Sequence, residues 1–179
     1  MPKYIAFLRG VNVGGNNVIK MEALKKSFES MGFKNIKTFI QSGNVIFDSP
    51  SKNPAVITKK IEKELLEEYE SNIKTMIRTF VEVENIVRLN PFKGIKPDKK
   101  IKLYICFLST EPQRKTKLPL ISEKEALEVF KIEKGDVFLI SREIKNGRFG
   151  FPANFLEKEL NVSATARQWN TVCKLIEKN

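Results

Sequence analysis

Histidine is missing altogether from these 179 residues, and its absence removes more chemistry than any other feature of the composition. Without imidazole there is no His-based triad, no imidazole metal site and none of the usual acid–base groups that titrate near neutral pH. Aspartate is almost as scarce: only Asp48, Asp98 and Asp136 occur, so a carboxylate cage for a hard cation would need glutamate. The two cysteines, Cys106 and Cys173, are far apart and lack the paired spacing of a metal or redox motif, which marks them as buried thiols. No apolar run approaches the roughly 18 residues that cross a bilayer. The apolar stretch at the start, Tyr4 to Leu8, is too short for a secretory signal. The expectation is a globular cytoplasmic protein with no cofactor, metal or membrane partner implied, and with its oligomeric state left open.

What the chain has in excess is positive charge. It carries 32 Lys and Arg against 21 Asp and Glu, a formal net charge of +11, which invites a nucleotide or nucleic acid as partner. Yet only Arg9, Arg78, Arg88, Arg114, Arg142, Arg148 and Arg167 are arginine. Lysine is a solvated point charge without the planar fork that suits phosphate and base recognition, so a plain Lys-rich surface competes with the polyanion reading. A hydrophobic content of 41% is that of an ordinary globular chain, long enough for one large domain or two small ones, each with a core.

The opening is the most informative segment. The apolar run Tyr4-Ile-Ala-Phe-Leu8 enters a loop rich in Gly and Asn, Arg9 to Asn17, and an amphipathic helix follows. Gly10, Gly14 and Gly15 allow sharp turns that expose N–H groups to an anion, although the loop matches neither the Walker pattern nor Gly-x-Gly-x-x-Gly. Met21, Leu24, Phe28 and Met31 share one helical face, and Gly32 ends that helix. Ile36–Gln41 and Asn44–Asp48 flank Ser42-Gly43, a hairpin signal. A second helix is predicted from Pro54 to Tyr69 and another strand over 73–78. Strand, helix, strand, strand, helix, strand is the order of the split βαβ, or ferredoxin-like, plait. Thr79 with Glu82 then predicts a capping box for a short helix to Leu89.

Residues 90–102 combine two prolines, a glycine and dense lysine, which reads as a linker between subdomains over 1–92 and 93–179. Beyond it, Tyr104-Ile-Cys-Phe-Leu108 echoes Tyr4-Ile-Ala-Phe-Leu8 and hints at a duplicated plait. A basic loop over 112–118, a helix near Glu123–Lys131, strands at 137–141 and 143–145, and a helix from Pro152 to Leu160 are expected next. The final helix is expected to start from Thr165 as N-cap. Trp169, Val172, Cys173 and Ile176 would form its apolar stripe, with Trp169 as a packing anchor, and Arg167, Asn170, Thr171 and Lys174 would lie on the other side.

Three long blocks carry a family resemblance. Phe7-Leu-Arg-Gly-Val-Asn-Val-Gly-Gly15, Thr38-Phe-Ile-Gln-Ser-Gly-Asn-Val-Ile-Phe47 and Thr165-Ala-Arg-Gln-Trp-Asn-Thr-Val-Cys-Lys-Leu175 resemble the signatures of the bacterial domain of unknown function 1697 (DUF1697) family. Ile77-Arg-Thr79, Asn90-Pro-Phe92 and Phe107-Leu-Ser109 also sit where that family has similar segments. The resemblance covers essentially the whole chain and implies an α/β (α+β) fold of two tandem ferredoxin-like subdomains with an additional C-terminal helix. One stretch departs: Asn146-Gly-Arg-Phe-Gly-Phe-Pro-Ala-Asn154 lacks the Ser-Lys pair of the family's Gly-x-Gly-Arg-Ser-Lys-Leu-like segment. The family has no established activity, so the resemblance implies a fold and no function.

Three functions remain open at this level. The first is binding of an anionic ligand, a nucleotide or single-stranded nucleic acid, near the first loop and the last helix. Its residues would be Arg9, Gly10, Asn12, Gly14, Gly15, Asn16, Gln41, Ser42, Asn44, Arg167 and Asn170, helped by Lys20 and Lys174. Tyr4 or Phe7 with Phe47 could add base stacking on a sheet, or could be core. The second is an enzyme without histidine, in which the same polar cluster orients a small substrate; no catalytic residue is identified, since no Ser or Cys has an evident activating partner. The third is an interaction module that docks a partner through sheet edges and the Lys-rich loops.

Overall fold

Alternation along the first strand, β1 (Lys3–Leu8), decides how the N-terminal half packs. Tyr4, Ala6 and Leu8 enter one core cluster with Leu24, Phe28, Ile57, Ile61 and Leu65. Ile5 and Phe7 project to the opposite face and are fully buried as well. The helices on the first face are α1 (Met21–Ser30) and α2 (Pro54–Tyr69). Strands β2 (Lys34–Phe39), β3 (Asn44–Asp48) and β4 (Thr75–Thr79) complete a four-stranded sheet of order β2-β3-β1-β4 with every neighbour antiparallel. This is the plait order expected from the sequence.

Local chemistry sets the helix ends. Asn53 caps α2 by accepting the Ala55 N–H at 2.9 Å, with Pro54 in the first turn, where a missing N–H costs nothing. Gly32, at φ +82°, follows the end of α1. At α3 (Phe80–Leu89) the capping box forms as predicted: Thr79 N–H donates to Glu82 Oε2 at 2.7 Å, and Glu82 N–H donates to Thr79 Oγ1 at 3.2 Å.

The structure, a computed structural model describing residues 1–179, divides into two units, Met1–Asn85 and Ile86–Asn179. The second unit contains β5 (Ile101–Leu108), β6 (Leu120–Ser122), β7 (Leu127–Glu133), β8 (Asp136–Arg142), α4 (Pro152–Leu160), β9 (Ala164–Gln168) and α5 (Trp169–Glu177). Its antiparallel sheet has the order β6-β7-β8-β5-β9. Cys106, Leu108, Leu127, Val129, Val137, Leu139, Leu156 and Ala164 form its core.

Three sequence expectations fail here, and the simplest is the strand expected at 143–145: β8 ends at Arg142, and beyond it Lys145 makes only an isolated bridge to Arg148. The helix expected near Glu123–Lys131 is a turn followed by β7. Leu127 and Val129 alternate into the core while Glu128 and Phe130 face away from it, a period of two that prevails over the helix-forming Glu123-Lys-Glu-Ala run. The turn is tight enough to hold Ala126 at φ +50°, and the Ala126 carbonyl accepts the Arg142 N–H. Thr165 is likewise no N-cap. It lies inside β9, paired with Phe107, and α5 starts four residues later behind Gln168. The plait of this unit thus replaces its first helix with an extra edge strand, and its last strand runs directly into α5.

Candidate functional site

The loop after β1 is built from its own polar side chains. Asn12 does most of the tying: its Nδ2 donates to the carbonyls of Ile19 (2.9 Å) and Gln41 (2.8 Å), and its Oδ1 accepts the Ile19 N–H (2.8 Å). Asn17 donates to the Gly10 carbonyl at 3.2 Å and accepts from the Ser71 hydroxyl. The tip is a miniature hairpin in which Asn16 N–H donates to the Val13 carbonyl at 3.1 Å across Gly14 and Gly15, both at positive φ. These bonds join the loop to the β2–β3 turn, so Asn12 and Gln41 are neighbours, as the anion-site reading expected. They also engage the amide of Asn12 and the backbone N–H groups of Asn12, Asn16 and Ile19 within the loop itself.

The β2–β3 turn is equally self-contained. Asn44 is fully buried and donates to the Phe39 carbonyl (3.0 Å) and to the Ser42 hydroxyl (2.9 Å). Glycine is required at position 43, where φ is +73° and a Cβ would stand 2.9 Å from the Leu8 Cβ. Arg9 is half-buried at the mouth of the loop, and its N–H donates to the Lys74 carbonyl at 2.8 Å. Tyr4, Phe7 and Phe47 are at most 2% exposed, so none of these rings offers a face for a base to stack on.

Arg167 and Asn170 belong to the second unit and have contrasting surroundings. Asn170 is exposed on the first turn of α5, whereas Arg167 lies in β9, only 7% exposed, rather than on the polar side of a helix. Its guanidinium donates to Thr165 Oγ1 (2.8 Å) and to the Ala166 carbonyl (2.9 Å). Burial lowers its pKa to about 10, opposed by nearby Cys106, while burial pushes the Cys106 thiol well up. Cys106 is therefore an inert buried thiol.

A recess in this unit lies between the Asn90–Lys102 segment and the start of α5. It has a volume of about 560 Å³. Phe92, Leu103 and Trp169 give it apolar surface, and Asn90, Asp98, Lys102, Gln168 and Asn170 line it as polar residues. Trp169 packs on buried Phe92 with ring centroids 5.1 Å apart, so it is the packing anchor expected, and it also borders the cleft. Lys102 is steered by the Phe149 ring, its Nζ 3.9 Å from the centroid. Cys173 reaches the same wall, but burial and the nearby Glu177 raise its pKa, so it is a thiol rather than a thiolate nucleophile. No three carboxylate or thiol side chains gather to hold a metal ion.

Of the candidate ligand-binding residues, only Asn170 lines this cleft. Phe92 and Trp169 were both visible as members of the Asn-Pro-Phe and Arg-Gln-Trp segments, but nothing in their spacing showed that they meet. The segment departing from the family pattern is occupied by protein. Gly150 packs so closely that a Cβ would stand 2.3 Å from the Glu125 carbonyl oxygen, and Glu125 Oε2 accepts the Phe151 N–H at the start of α4. That helix end already holds a carboxylate.

The model of a protein family of unknown function, DUF1697, matches residues 1–138. The chain belongs to the DUF1697 family. The matched span ends inside β8, so β9, α5 and the Thr165–Leu175 block lie beyond it. Among solved structures, this family member is similar to the conserved bacterial protein SP0830 from Streptococcus pneumoniae. The identity is 17%, the TM-score is 0.64, and 98% of this chain and 97% of that one are covered. At that identity the likeness shows the shared α+β fold over the whole length. No curated protein matches the chain. No helix is long and apolar enough to cross a membrane.

Proposed function

We propose that this DUF1697 protein binds a small anionic ligand in the cleft of its C-terminal unit. The observation that carries the reading is the pairing of that cleft with its charge. The segment 90–102 carries Lys93, Lys96, Lys99, Lys100 and Lys102 against the single acid Asp98, and of these Lys102 and Asp98 line the recess itself, beside apolar surface and amide groups. Asp98, which also lines the cleft, accepts the Lys100 N–H at 2.7 Å. A volume of about 560 Å³ lies within the roughly 300–1,000 Å³ of small-molecule sites. The loop after β1, with Arg9, Asn12 and Asn16, serves in this reading as a structural clasp.

Trp169 is the sole tryptophan and borders the cleft, so its emission reports occupancy directly. Titration with inorganic pyrophosphate and with ribose 5-phosphate, at low and at moderate salt, is expected to give a saturable change. Lys102→Ala is expected to weaken binding about tenfold, and added salt is expected to weaken it further. A flat emission with both probes, or a response equal in wild type and Lys102→Ala, overturns the reading.

A further inference from the structure

The cleft has a feature that charge alone does not explain: one aromatic wall held rigid from behind. Phe92 is 2% exposed and meets Trp169 at 5.1 Å, Phe130 at 5.5 Å and Phe138 at 6.0 Å, all tilted or edge-on. The indole therefore stands on a packed aromatic support while remaining partly exposed at the cleft. Two asparagines, Asn90 and Asn170, line the same cleft. Each carries both a donor and an acceptor, the combination that reads the edge of a heterocyclic base.

We infer that the anion is a mononucleotide, its base against Trp169 and its edge read by these amides. The inference rests on the anionic-ligand reading above and names the ligand class of that same site. A single nucleotide fits better than a strand for a structural reason. Binding a strand takes successive exposed rings along a groove, but the rings on the central strands, Tyr4, Phe7, Phe47 and Phe107, are at most 2% exposed. One indole offers a place for one base. Lys102 lines the cleft and would supply the point charge for a phosphate.

Calorimetric titration tests this without the ultraviolet absorbance of nucleotides obscuring Trp169. Four nucleoside monophosphates, ribose 5-phosphate and a short single-stranded oligonucleotide would be compared on wild type and on Asn170→Ala, a substitution at an exposed position. The expected result is at least one monophosphate binding tenfold or more tighter than ribose 5-phosphate, with a ranking among the bases. Asn170→Ala should flatten that ranking. Equal binding of ribose 5-phosphate and all four nucleotides overturns the nucleotide inference while the anion reading stands. Preferential binding of the oligonucleotide, with a salt slope of several phosphates, also overturns it in favour of a polymer. No binding of any probe removes both readings together.

Discussion

Tyr4, Ala6 and Leu8 face the helices of the first unit, and Tyr104, Cys106 and Leu108 enter the core beneath α4 in the second. The correspondence extends well past these strands. Arg78 lies opposite Ile5 in the sheet register, and Arg167 lies opposite Ile105. Each guanidinium donates to the carbonyl of the residue before it, Ile77 or Ala166, at 2.9 Å. Leu8 N–H reaches the Gly43 carbonyl, and Leu108 N–H reaches that of Gly135, at 2.9 Å in both cases. One residue after each arginine the strand ends and a helix begins at an aromatic residue, Phe80 or Trp169. The divergence lies after the first strand, where one unit has α1 and the other has β6. The central strands and the second helix therefore define this plait, while the first connection is free to be a helix or an edge strand.

The equivalence of the two arginines is the sharpest point at which to test the comparison. Arg78 is half-buried and Arg167 is 7% exposed, so the same substitution should have unequal effects. Arg167→Ala strips buried Thr165 Oγ1 of a donor and is expected to cost about 2–3 kcal/mol, against less than about 1 kcal/mol for Arg78→Ala. Denaturant titration of the two variants measures the difference, and equal losses would show that burial does not separate the two arginines.

Cys106 stands where the first unit has Ala6. Its ordinary value is 9.0 and the folded value is raised, so above pH 9 the unfolded chain releases a proton that the folded chain retains. The unfolded state then binds fewer protons, and stability falls as pH rises, by up to about 1.4 kcal/mol per pH unit. Buried Tyr4 and the partly buried Tyr69 and Tyr104, all raised by burial, extend the loss above pH 10. Cys106→Ala, which makes the strands more alike, is expected to flatten the curve between pH 9 and 10 at a neutral-pH cost of about 1 kcal/mol. Thermal unfolding across that range reads both effects.

The smallest expected effect concerns the helices that follow the arginines. α3 opens with the Thr79–Glu82 box, whereas α5 has no side-chain cap. Thr79→Ala should destabilise by about 1 kcal/mol, while Gln168→Ala should leave α5 helicity nearly unchanged. Circular dichroism and chemical unfolding of the two variants would settle whether the helix starts differ as described.

Elements with strong local punctuation were legible from sequence. Asn53-Pro54 and Pro152 mark the starts of α2 and α4, Ser42-Gly43 the β2–β3 turn, and Thr79 with Glu82 the start of α3. The errors arose where local preference and tertiary setting disagree. Glu123-Lys-Glu-Ala favours a helix, yet Leu127 and Val129 are drawn into a sheet; Thr165 resembles a cap, yet its strand partner Phe107 comes from far back in the chain. The candidate site divides along the same line. The Gly- and Asn-rich loop was visible, but not that Asn12 and Asn17 bind their own backbone, nor that Phe92 and Trp169 meet across most of a unit.

The asparagine clasp after β1 also divides that loop into a fixed base and an idle tip. Asn12 fastens the base to Ile19 and Gln41, and Gly43 leaves no room for adjustment beneath it. At Gly14 and Gly15 nothing lies within 4 Å of where a side chain would begin. Variation in chain length, or a grafted peptide, is thus accommodated between those two glycines, whereas an insertion at Asn12 or Asn17 would unfasten the strand ends themselves.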